Sequence, residues 1–210
     1  MGMKTLTPTF RLWLRRGLKA LAVFAVLAVF TFFALPWLAV GERQASSHVD
    51  ALYLMSFDPR LKADEYAVSL YQQGIASKIV CVGNAITCDI FPADFARQQI
   101  IDLGIPPENV LVFHTPDTDC RAQLASSTIA FAQIHGWHSV LWLGDPAGSR
   151  MSQRVFQPKF KAAGIDLFIA YPPAAKDELL DGWWRSHWKM QRMSREPLES
   201  GLDLFYSECW

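Results

Sequence analysis

Polar and charged residues gather at the ends of short apolar runs in this chain. Ser56, Asp58 and Arg60 follow the first run, and Gly83, Asn84 and Cys88 the second. His114, Thr115, Asp117, Thr118, Asp119 and Arg121 follow the third; Asp145, Ser149, Arg150 and Arg154 follow the fourth. Arginines collected over helix N-termini make an anion site, because backbone N–H groups favour phosphate there and guanidinium adds planar paired donors. In that scheme Ser56, Arg60, Gly83, Asn84, Thr118, Arg121, Asp145, Ser149 and Arg150 hold an anionic ligand, and Asp58, His114 and Asp119 carry protons.

Each group also has a structural reading. Arg60 pairs with Asp58, or Arg150 with Asp145, as surface ion pairs of little net energy. Thr118 or Asp119 caps the third helix and Ser149 the fourth. His114 is then an incidental loop histidine. The sequence shows no nucleophile elbow, Walker loop or His/carboxylate metal motif. Neither a metal nor a cofactor is expected.

The elements that must position these groups repeat. Strands are predicted at Ala51–Ser56, Lys78–Val82, Val110–Phe113, Ser139–Gly144 and Asp166–Ala170. Their starts lie about 27 to 32 residues apart, the length of a βαβ unit. Their continuous apolar cores suit strands covered on both faces. Between them run four amphipathic stretches closed by Gly74, Gly104, Gly136 and Gly164, glycine being the favoured residue just past a helix end. The fourth opens at Ser149 after the Gly/Pro loop Asp145-to-Gly148. The fold class is therefore α/β: a Rossmann-like three-layer domain with about five parallel strands. Ligands of such sheets sit outside the carboxyl ends of the strands. Beyond strand five we expect a stiff Tyr171-Pro-Pro173 exit, a short helix near Lys176–Trp184, a polar connector and a last helix from about Glu196. Trp183, Trp184 and Trp188 either cap a core or lie at a membrane surface, where Trp is favoured.

The first forty residues differ. Residues 1–19 are basic, with Lys4, Arg11, Arg15, Arg16 and Lys19 and no acid. Residues 20–40 are apolar apart from Thr31 and Pro36, long enough to cross the hydrocarbon core. The charge asymmetry predicts a cytoplasmic N-terminus and an exported remainder. The expectation is a single-pass signal anchor in a bacterial inner membrane, a linker over 41–48 and a periplasmic domain over 49–210. The rival is a cleaved signal peptide, with Ala39-Val-Gly41 as the cleavage site. Basic and acidic residues balance at 20 each, and nothing in their distribution suggests nucleic acid. Cys81 reads as a small buried hydrophobe, whereas Cys88 and Cys120 fall on one sheet edge where an exported chain could join them.

From Val49 to Trp210 the chain resembles the YdcF-like envelope proteins (SanA/ElyC-like). The likeness rests on Arg60 with Tyr66-to-Gly74, Val82-Gly83, Gly104-to-Val110, Thr118-to-Ala122, Arg150, and Arg195-Glu-Pro-Leu198. The family pattern is altered at several points. Met55-Ser56 stands for a Gly-Gly, and Asn84 for the second glycine after strand two. Cys120 and Arg121 stand for a Glu and an Asn, and the loop Gly144-to-Arg150 lacks a histidine. The resemblance implies a membrane-anchored Rossmann-like domain in peptidoglycan or polysaccharide assembly or lipid-carrier metabolism. Its partners would be envelope-assembly proteins or a lipid-linked glycan, and the bilayer through residues 20–40. If the domain is an enzyme, it is a hydrolase or transferase at a phosphate or sugar linkage. If the altered positions remove catalysis, it is a scaffold of an envelope complex. A third reading, a binder of S-adenosylmethionine (proposed for cytoplasmic relatives) or of a nucleotide, would need the opposite membrane orientation, because S-adenosylmethionine is not available to an exported domain.

Overall fold

The computed structural model describes residues 8–42, 48–55, 62–84, 91–115 and 121–194, without the side chains of 8–15, 121 and 122. In chain order the elements are α1 (Pro8–Ala39), β1 (Val49–Leu54), α2 (Ala63–Gln72), β2 (Ala76–Gly83), α3 (Pro92–Asp102) and β3 (Val110–His114). They continue with α4 (Arg121–Ile134), β4 (Ser139–Leu143), α5 (Pro146–Ala162), β5 (Asp166–Ala170) and α6 (Pro173–Leu180). A 3-10 turn at Trp183–Arg185 leads into α7, helical from 187 through 194.

The five strands form one sheet in the order β3-β2-β1-β4-β5, every neighbouring pair parallel. Side chains alternate across a strand, so each one feeds two cores. Leu52, Leu54, Ile79, Cys81, Leu141 and Leu143 face one layer with Ala67 of α2 and Ile100 of α3. Tyr53, Val80, Val82, Val140, Trp142 and Ile169 face the other, with Ala125 of α4 and Phe156 and Phe160 of α5. Double-sided burial is why the strands read as unbroken apolar runs. The expected glycines do close the helices: Gly104 stands at φ +98° and Gly164 at +76°, a region where a Cβ is penalised. The chain order reverses between β1 and β4. The carboxyl ends of those two strands therefore define the crevice where this architecture usually holds ligands.

The first two strands each begin two residues earlier than expected, and β1 ends at Leu54 rather than Ser56; three expected helix boundaries also move. The fourth helix opens at Pro146, with Asp145 as its cap, because the Asp145 carboxylate accepts the Ala147 N–H and Pro146 fills a first-turn position that needs no donor. The helix after β5 begins at Pro173, another first-turn proline, and stops before Gly182, which is left-handed at φ +55°. The expected polar connector is largely α7. The predicted last helix from Glu196 lies outside the described residues.

Within α1, Arg16–Ala39 is a helix of 24 residues long and apolar enough to cross a membrane. Its end is packed into the domain. Ala39, Val40 and Gly41 are buried, and Phe32 and Leu35 pack with Ala147, Tyr171, Leu179, Trp183 and Met193 in a third cluster. Trp183 stacks on Phe32 with ring centroids 4.5 Å apart. At this point Trp183, with the half-buried Trp188 against it, caps a core that the apolar helix completes, while Trp184 is exposed.

Candidate functional site

The carboxyl rim of the sheet is built from the residues after β1 to β5 and the first turns of the helices that follow. Ser56, Asp58, Arg60, Thr118 and Asp119 lie outside the described residues, as do Cys88 and Cys120. Arg121 opens α4, and only its backbone is described. The remaining candidates can be placed.

Gly83 and His114 are register partners at the ends of β2 and β3. The Gly83 carbonyl accepts the Thr115 N–H at 3.0 Å, and Asn84 follows on the surface. His114 Nε2 lies 3.0 Å from Asp94 Oδ1, in the first turn of α3, and the imidazole stacks on Phe91 at 3.9 Å. This is an exposed His–carboxylate pair over an aromatic face. Such a pair is a competent proton carrier.

The Asp145, Ser149 and Arg150 group sits at the end of β4. Three strand spacings separate β3 from β4, about 14 Å at ~4.8 Å each. His114 therefore shares a rim with this group but not one small-ligand subsite.

The three residues have other partners than expected. One Asp145 oxygen caps α5; the other lies 2.7 Å from Nη1 of Arg192 on α7. Arg150 does not pair with Asp145. Its Nε and Nη2 both donate to the Val40 carbonyl, at 3.2 and 3.0 Å. Ser149 is not the helix cap: it is 3 % exposed, its Oγ donates to the Pro146 carbonyl at 2.6 Å, and it accepts the Gly41 N–H at 2.8 Å. The Tyr171 hydroxyl, just past β5, donates to the Gly41 carbonyl at 3.0 Å, and Gln153 donates to the Glu42 carbonyl. Four side chains from the rim and α5 thus grip three residues that leave α1. The grip needs a glycine, since a Cβ on Gly41 would stand 2.9 Å from the Arg150 backbone.

Against this seam lies a cavity of about 690 Å³. Pro36, Trp37 and Val40 of the α1 exit form one wall, and Tyr171, Pro173 and Leu180 the other; Arg150 and Lys176 are cationic and Glu42 anionic. An apolar cleft with two cations at its edge can hold an amphiphile with an anionic head. Lys176, Tyr171 and Gly41 are absent from the sequence-derived set. Their roles depend on contacts between residues more than a hundred positions apart, apart from Lys176, which a basic residue three places into α6 could have suggested.

Elsewhere the polar groups are structural. At the amino rim, Asp50 accepts the His138 and Ser139 N–H groups at 2.8 Å and the Ser139 hydroxyl at 3.0 Å, joining β1 to β4. Burial pushes its pKa up, but these hydrogen bonds outweigh that and hold it below the usual carboxylate value. Cys81 is buried in β2 as a free thiol, its pKa pushed up to about 12 by burial, which suits the expected inert hydrophobe. Tyr53, buried under α4, donates to the Thr128 carbonyl, and its pKa is raised by the same desolvation. Among the described residues no group of three His, Cys, Asp or Glu side chains could hold a metal ion. Comparison with protein-family models, with curated proteins and with solved structures returns no match.

Proposed function

We propose that this chain is a single-pass, YdcF-like envelope protein whose carboxyl rim faces the bilayer and binds a phosphate-bearing amphiphile, such as a lipid-linked glycan intermediate. The observation that carries this reading is the seam. The end of the apolar helix is bonded into the carboxyl ends of β4 and β5 beside a cleft that combines apolar walls with Arg150 and Lys176. A ligand there would keep its tail toward the membrane and its head at the rim. The basic N-terminus supports an inner-membrane anchor with a periplasmic domain. The seam also supports an uncleaved anchor. Scission after Ala39-Val-Gly41 would remove the partners of Arg150, Ser149 and Tyr171.

A second reading, a scaffold that has lost catalysis, draws on two observations. Ser149 and Arg150 are engaged in the seam, and His114 stands across the sheet from them. Native mass spectrometry of the full chain in detergent separates the two. Under the first reading a polyprenyl phosphate binds, the matching neutral prenol does not, and Lys176→Glu weakens the complex. Equal uptake of both lipids, or of neither, removes the ligand-binding reading and leaves the scaffold. A periplasm-dependent reporter fused after Trp210 tests orientation, and activity of a cytoplasmic reporter alone would reverse it.

A further inference from the structure

The corner between α6 and α7 carries an aromatic and basic face apart from the cleft. Its root is Trp183, 4 % exposed and stacked on Phe32. Its neighbour Trp184 turns outward, 49 % exposed, with the Arg185 guanidinium 5.9 Å from its ring centroid. His187 and Met190 of α7 are exposed as well. From Gly182 to Ser194 the chain has Arg185, Lys189 and Arg192 but no carboxylate, while Asp177, Glu178 and Asp181 are exposed at the end of α6. Lys189 donates to the Glu178 and Asp181 carbonyls at the end of α6, and Arg192 pairs with Asp145. Arg185 is the cation presented outward beside Trp184.

The depth of this corner follows from the rise of a helix. Phe32 lies sixteen residues after Arg16 (32 − 16), or about 24 Å at 1.5 Å per residue. The hydrocarbon core is about 30 Å thick. With Arg16 at one boundary, Phe32 stops about 6 Å short of the other; tilt, or a boundary set by Lys19, leaves it deeper still. A ring stacked on Phe32 cannot stand clear of the headgroups. Trp183 and Trp184 fall at the interfacial level where tryptophan is favoured.

We propose that the α6–α7 corner is a docking surface for anionic phospholipid, with Trp184 seated among the headgroups and Arg185 on lipid phosphate. This rests on the reading of α1 as a membrane span. The contact adds a second attachment beside α1, so the domain cannot swing about the seam and the carboxyl rim keeps facing the bilayer. Attraction to an anionic surface adds to the burial of an aromatic side chain.

The test uses the full chain in vesicles with nitroxide lipids of known depth. Environment-sensitive labels are attached at Trp184→Cys, at Phe24→Cys within α1, and at Ile134→Cys, an exposed site beyond the amino rim, with Cys88, Cys120 and Cys209 changed to Ser. The label at 184 is expected to blue-shift and to be quenched by headgroup-level nitroxides, with quenching that grows with anionic lipid and falls in Arg185→Glu. The label at 134 is expected to stay unquenched, and the label at 24 to be quenched by deep nitroxides. Quenching at 184 no stronger than at 134, with 24 deeply quenched, overturns the docking surface but keeps the span. No quenching at 24 overturns both. Quenching at 184 that is equal in purely zwitterionic vesicles overturns the anionic-lipid recognition.

Discussion

Gly41→Ala is the sharpest perturbation of the seam. The added methyl would lie 2.9 Å from both N and Cα of Arg150 and 2.5 Å from Gln153 Oε1. The glutamine can swing away, but the α5 backbone cannot. Ordinary carbon contacts lie at about 3.5–4.0 Å, so Gly41 must retreat by about 0.6–1 Å. Overpacking of that kind costs about 1–3 kcal/mol. The alternative is to release the segment. That forfeits the Ser149 and Tyr171 bonds to Gly41, at about 1 kcal/mol each, and the paired guanidinium bonds to Val40, at about 1.5–3 kcal/mol. Compression is the smaller loss, so the seam should weaken by about 2 kcal/mol, a ~30-fold rise in its opening constant. Hydrogen exchange by mass spectrometry on the full chain in nanodiscs would show faster exchange in peptides covering 36–42 and 146–153, with β1, β2 and β4 unchanged. Unaltered protection of both peptides would refute the argument that α5 leaves no room for a side chain.

Four other expectations follow from the same contacts. Tyr171→Phe, losing one buried donor to Gly41, should weaken the seam by about 1 kcal/mol in the same exchange assay. Asp50 is held below its ordinary pKa, so its contribution is present above the unfolded carboxylate value of about 3.9 and is lost as pH falls through the lower folded value. Urea midpoints should therefore drop below about pH 4 in the wild type and fall less steeply in Asp50→Asn; equal slopes would dismiss the role of the β1–β4 hydrogen bonds. Asp145→Ala removes the α5 cap and the Arg192 partner together and should destabilise by about 2 kcal/mol in chemical denaturation. Cys81 should resist maleimide in the folded chain and react on unfolding, and labelling of the native protein at this thiol would contradict its burial.

The sheet was largely legible because its signals are local. Five apolar runs, the first four each followed by a helical stripe and a glycine, need no distant partner to be recognised, and β5 matches its expected bounds residue for residue. The start of α5 was also readable in principle. Asp145-Pro146 is a cap followed by a first-turn proline, and it outranks Ser149, whose hydroxyl the structure turns toward Gly41. The candidate site was less legible for a different reason. Arg150 looked like an anion ligand because it follows strand four at a helix start, or like a surface partner of Asp145, yet its acceptor is the carbonyl of Val40, and Asp145 pairs with Arg192. A short periodic pattern carries no information about such long-range choices. His114 shows the same limit: strand order alone puts it three strands from β4, and that order is set by which helix packs on which face.

The seam has a consequence for biosynthesis. The acceptors on Val40 and Gly41 are met by donors 110 and 130 residues later in the chain, and the Gly41 N–H by an acceptor 108 residues later. At about 5–20 residues per second, the ribosome needs roughly 5–26 s to make the intervening polypeptide. The exit of α1 therefore waits for residues made long after it, and a nascent chain halted before β4 hangs from its helix by a loose joint.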